Sequence, residues 1–92
     1  MGKMDTWRVT ETGTVGEWFR APNGDYVGTI ISDCGDVYIA GSKDCPNPAD
    51  GALITKGTRV RFVPEMKGNK VNDMETGAPY SWGVAREITI LP

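Results

Sequence analysis

No stretch of this 92-residue chain carries an apolar period of 3.6 over the length of a helix. The period is two, in short runs separated by turn signals. Residues 6–19 read as one extended segment, interrupted by Gly13 and Gly16, where a bulge or bend is expected. Pro22-Asn23-Gly24 is a turn, and residues 25–32 (DYVGTIIS) form a second strand. Asp33-Cys34-Gly35-Asp36 connects tightly to a third strand over 36–40 (DVYIA). Alternation predicts Val37 and Ile39 on its core face and Tyr38 on the outer one. Residues 41–56 read as a long loop with a 3₁₀ turn near Pro48-Ala49-Asp50. Residues 57–63 (GTRVRFV) form a fourth strand, with Val60 and Phe62 inward, Arg59 and Arg61 outward, and Pro64 as its end. Residues 65–80, which include Met66 and Met74, read as a second long loop. Residues 81–91 (SWGVAREITIL) form a fifth strand in which Arg86 breaks the parity of Val84, Ile88 and Ile90, so a bulge is expected near Gly83 or Ala85.

Five short strands, three of them in a meander, then a long connection and two more, match a five-stranded antiparallel OB-type barrel with two long loops. A small SH3-like barrel is the alternative at this level. The length fits one domain over residues 1–92, with 1–5 flexible. Trp7 and Trp82 are expected to pack over barrel ends.

The residue inventory excludes much chemistry. The chain has no histidine, which removes the commonest general base and most nucleophile–base pairs. Its aspartates sit in turn-like contexts, where the side chain serves nearby backbone N–H groups. No phosphate-binding glycine loop is present, so no catalytic residue is assigned and no enzyme is expected. Cys34 and Cys45 lack the short paired spacings of a zinc site and read as free thiols. No metal or cofactor is expected. No apolar run is long enough for a membrane span, and residues 1–11 lack the apolar core of a secretory signal, so the expected location is cytoplasmic. Net charge is −2 but uneven: residues 25–50 hold five acids against Lys43, and residues 56–70 hold five bases against Glu65. A near-zero sum can therefore hide a basic face.

With the strands placed, Gly13-Thr14-Val15, Trp18-Phe19, Asn23-Gly24 and Gly28-Thr29-Ile30 resemble the start of a cold-shock domain. That family opens G-x-V-K-W-F-N, followed by K-G-[FY]-G-F-I and V-F-V-H-F. Asp36-Val37-Tyr38-Ile39-Ala40 is similar to the third of these motifs. Lys56-Gly57-Thr58-Arg59-Val60-Arg61-Phe62 is similar to the family's E-G-x-x-V-x-F, and Ala85-Arg86-Glu87-Ile88-Thr89 to its A-x-N-V-x. The resemblance covers most of residues 12–91 in order. It implies a five-stranded OB barrel whose second and third strands stack aromatic side chains on single-stranded RNA or DNA.

Departures are plain. Gly16 is an extra residue, Glu17 replaces a lysine, and Arg20 replaces an asparagine. The two aromatics of the family's second strand fall on Val27 and Thr29, and in the third-strand motif Tyr38 keeps the first aromatic while the His and the second Phe fall on Ala40 and Gly41. The resemblance thus implies a stacking platform of Trp18, Phe19, Tyr26 and Tyr38, with Arg20, Lys56, Arg59, Arg61 and Lys67 along the phosphates. Tyr80 and Trp82 are replacement platforms. Binding to single-stranded RNA or DNA is expected to be weak, because each lost base stack removes about 1–3 kcal/mol. The alternative is a protein-interaction OB domain that has lost most nucleic-acid affinity, favoured by Glu17 and the acidic 25–50 segment. Neither reading sets an oligomeric state.

Overall fold

The structure, a computed structural model, describes residues 9–72 and 79–92. Five strands form a closed barrel: β1 (Glu11–Arg20), β2 (Tyr26–Ser32), β3 (Val37–Gly41), β4 (Arg59–Asn72) and β5 (Pro79–Ile90). Around the barrel the order is β1-β2-β3-β5-β4, and β4 closes onto β1. Two 3₁₀ turns, Ser42–Asp44 and Pro48–Leu53, lie between β3 and β4. The expectations for residues 1–5, Trp7, Met74 and the Tyr80 side chain fall outside the described residues.

The barrel is mixed, not antiparallel throughout. β1–β2, β2–β3, β1–β4 and β4–β5 are antiparallel, but β3 and β5 run parallel over Val37–Ile39 and Trp82–Val84. The long connection after β3 leads into β4, which returns along β1. The β4–β5 hairpin then delivers β5 to the free edge of β3 in the same direction as β3.

The fourth strand does not stop at Pro64, and of the residues read as a loop, 65–72 and 79–80 are strand. β4 runs on to Asn72, with Met66 inside it, and pairs with β5 back to Pro79. Among the described residues β1 reaches β4 only over Arg59–Phe62. Beyond Phe62 one edge of β4 has no partner strand among the described residues, so a residue lacking an N–H is accommodated at 64.

The core comprises Val15, Ile30, Tyr38, Ala40, Cys45, Ile54, Val60, Phe62, Ala85 and Ile88. Val60 and Phe62 point inward and Arg59 and Arg61 outward, as alternation predicts. The third strand is inverted relative to expectation. Tyr38 is fully buried, whereas Ile39 is 54% exposed. Tyr38 stands opposite Ile30, an inward residue of β2, and this pairing sets the parity of β3. On its other side Tyr38 faces Gly83, where a Cβ would overlap the Glu65 carbonyl; the glycine lets β4 and β5 close up beside the ring. The ring packs on Phe62 at 5.0 Å between centroids, tilted by 58°.

The parity change in β5 falls later than expected. Gly83 and Ala85 point inward and Arg86 outward; the reset comes at Glu87, whose φ is +50°, and Ile88 is buried.

Candidate nucleic-acid interface

The bulge at Gly16 divides the predicted platform. The β1–β2 register shifts between Val15 and Glu17, so the inward parity of Gly13 and Val15 passes to Trp18. Trp18 packs against the core, and its Nε1 donates to the Gly51 carbonyl at 2.8 Å. Tyr26 lies on the same side. Its ring lies beside Gly51, and its backbone N–H donates to Ser42 Oγ at 3.1 Å. Both rings are half-buried under the 3₁₀ segments that cover this mouth of the barrel. Phe19 points the other way and is 57% exposed on the outer sheet face. Tyr38 belongs to neither group; its burial removes it from any surface platform. The four aromatics expected to act together thus occupy three environments.

The outer face beside Phe19 is aliphatic. Phe19 pairs with Val27 of β2; one row on, Thr29, Ile39 and Val84 stand side by side on β2, β3 and β5. Val37 pairs with Trp82, which is half-buried, in the next row. A cavity of about 290 Å³ opens on this face, with Val27, Ile39 and Val84 as its apolar wall. Lys43, Asp44 and Arg86 supply its polar rim. Sequence reasoning missed these three because Lys43 and Asp44 lie in a segment read as loop and Arg86 looked like a parity error. Alternation on β3, read from Ile30 as the inward residue, would have exposed Ile39.

The cations are dispersed. Arg59 is clamped to Asp33 by two bonds, Nη1 to Oδ1 at 2.7 Å and Nη2 to Oδ2 at 3.0 Å, and also donates to Thr14 Oγ1 at 3.0 Å. Thr12 Oγ1 donates to the same carboxylate at 2.5 Å. These bonds, Arg59's first, hold the Asp33 carboxyl well below the usual carboxylate range. Lys67 pairs with Glu65 at 2.9 Å, and Arg86 bridges Glu65 and Asp44 at 3.1 Å each. The Glu65 carboxyl is held low by the Lys67 bond first and by Arg86 second. Arg20, Lys43, Lys56 and Arg61 are exposed and form no ion pair among the described residues. Of the five predicted phosphate contacts, Arg59 and Lys67 are therefore already neutralised. Arg61, opposite Thr12, lies seven residues along β1 from Phe19, roughly 20 Å at strand rise.

Among the described residues, no cluster of three or more histidine, cysteine or carboxylate groups stands ready for a metal, and no helix is long and apolar enough to cross a membrane. Cys34 is exposed and Cys45 buried, neither in a disulfide. No protein-family model matches the chain, and no curated protein matches it either.

Proposed function

We propose that this chain is a divergent cold-shock-like OB domain that binds single-stranded nucleic acid, RNA or DNA, on the outer face of β1, β2 and β3. The observation that carries the reading is Phe19: an aromatic ring more than half exposed on a sheet face, bordered by an apolar cavity with Lys43 at its rim. Exposed rings are sequence-tolerant stacking surfaces for bases, and nearby cations attract the backbone. The closed five-strand barrel, with its one parallel contact between β3 and β5, supports the OB-type assignment.

The test is fluorescence anisotropy with short labelled single-stranded DNA and RNA of mixed sequence at low salt. Binding that weakens with salt and falls about tenfold in Phe19→Ala supports the proposal. No binding at high micromolar protein overturns it.

A second reading, a protein-interaction domain, is favoured by one observation: Ile31 and Ile39, both outward on this face, are large exposed aliphatics that offer no π-face to a base. Recovery of a stable protein partner that survives nuclease treatment and is lost in Ile39→Asp supports it.

A further inference from the structure

We propose that the cavity beside Phe19 is a subsite for one nucleobase that carries an exocyclic amino group, as cytosine, adenine and guanine do and thymine and uracil do not. The inference rests on the nucleic-acid reading and specifies what that face selects.

A base is a flat apolar slab with a polar edge, and the cavity has both complements. Val27, Ile39 and Val84 come from three different strands and present side chains outward, so they form a rigid apolar wall. At about 290 Å³ the cavity sits at the small end for ligand sites, which suits a single ring system. The polar edge is Asp44. Its side chain is only 11% exposed, and Oδ1 accepts from Arg86 Nη1 at 3.1 Å. Oδ2 accepts no hydrogen bond among the described residues and lies on the Gly41 side, 3.9 Å from where a Cβ at that position would be. A carboxylate oxygen with spare acceptor capacity, on a side chain only 11% exposed, favours a donor, and an amino group supplies one. Thymine and uracil place a carbonyl oxygen where cytosine carries its amino group, and carbonyl against carboxylate is repulsive. Arg86 is itself held by Glu65, so Asp44 is fixed before any base arrives. Lys43, exposed at the rim, is placed for a phosphate.

The vacancy at residue 41 makes the site. Gly41 has φ −151° and ψ 160°, an extended conformation open to any residue, so glycine is not required by the backbone. A Cβ there would meet nothing closer than the Tyr26 carbonyl at 3.4 Å. A larger side chain is therefore accommodated by the chain but fills the cavity.

The experiment compares oligo-dC with oligo-dT of equal length by anisotropy at fixed salt. We expect oligo-dC to bind about tenfold more tightly, the ratio one charge-assisted hydrogen bond supports. Asp44→Ala should abolish the preference, whatever it does to overall affinity, since it also frees a cation. Gly41→Leu should bring oligo-dC affinity down to that of oligo-dT with the fold retained in a thermal melt. Equal affinity for the two oligomers in the unaltered protein overturns the inference while leaving nucleic-acid binding intact, as does a preference that survives both substitutions. Failure of both oligomers to bind overturns the underlying reading as well.

Discussion

The Tyr38 hydroxyl is buried inside the barrel without a hydrogen-bond partner among the described residues, and so is Glu11 Oε1. Glu11 opens β1 opposite the buried Phe62, on whose ring Tyr38 packs. Burial, then the charges of Glu11, Asp36 and Cys34, push the Tyr38 phenol up to about 12. An orphaned buried hydroxyl costs about 1–3 kcal/mol, so Tyr38→Phe should raise stability in urea at neutral pH and leave oligonucleotide affinity unchanged. The same substitution should flatten the alkaline limb. Between about pH 10 and 12 the native phenol keeps a proton that the unfolded chain releases, so stability falls as pH rises through that window. The urea midpoint should drop there in the unaltered protein and drop less in Tyr38→Phe; parallel curves would sink the idea. Glu11 has the same sign at lower pH. Its carboxyl is raised, by burial first and by Asp36 second. Above its raised native value the charged group carries its full penalty; below the ordinary value of 4.5, where it is protonated in both states, it carries none. Glu11→Gln should therefore raise the Tm at pH 7 and leave it unchanged near pH 4.

At the scale of the elements, the barrel depends on close approaches that only glycine permits. A Cβ at Gly28 would overlap the Glu17 carbonyl, just past the Gly16 bulge where β1 turns against β2. Gly28→Ala must push two paired strands apart, and a loss of about 2–3 kcal/mol in urea is expected from such overpacking. A loss below about 0.5 kcal/mol would mean that the strands part freely at that point. Gly16 and Gly28 were readable as strand glycines, and so were the turn at Asn23-Gly24, the inward Val60 and Phe62, and the number of strands. What alternation could not supply was phase. A bulge or a one-residue shift moves every side chain beyond it to the other face, and nothing local to Val37-Tyr38-Ile39 says which parity is inward. Ile30 and Gly83, which settle it, lie on other strands. The β4–β5 hairpin was hidden for a related reason. Pro64, Gly68 and Pro79 signal a loop only if both strand edges need partners, and past Phe62 one edge of β4 has none among the described residues.

Over the whole molecule, the ion pairs decide which cations are free to meet a phosphate. Arg59 holds Asp33 against β1, and Arg86 and Lys67 share Glu65, so three cations are engaged in the barrel's own surface. Such exposed pairs add little stability, but they also leave little net positive field around them. Of the cations without an ion pair among the described residues, Lys43 borders the Phe19 face, Arg20 is paired with Tyr26 on the opposite side of β1, and Arg61 lies far along the β1–β4 side. If the strand runs over Phe19 and the cavity, each cation that contacts it releases a counterion, worth a slope of about 0.7 in log affinity against log salt for a single strand. Lys43→Ala should reduce the slope by about that amount, while Arg61→Ala and Lys67→Ala should leave it nearly unchanged. A slope lowered by Arg61→Ala but not by Lys43→Ala would move the path of the strand to the β1–β4 side and away from the cavity.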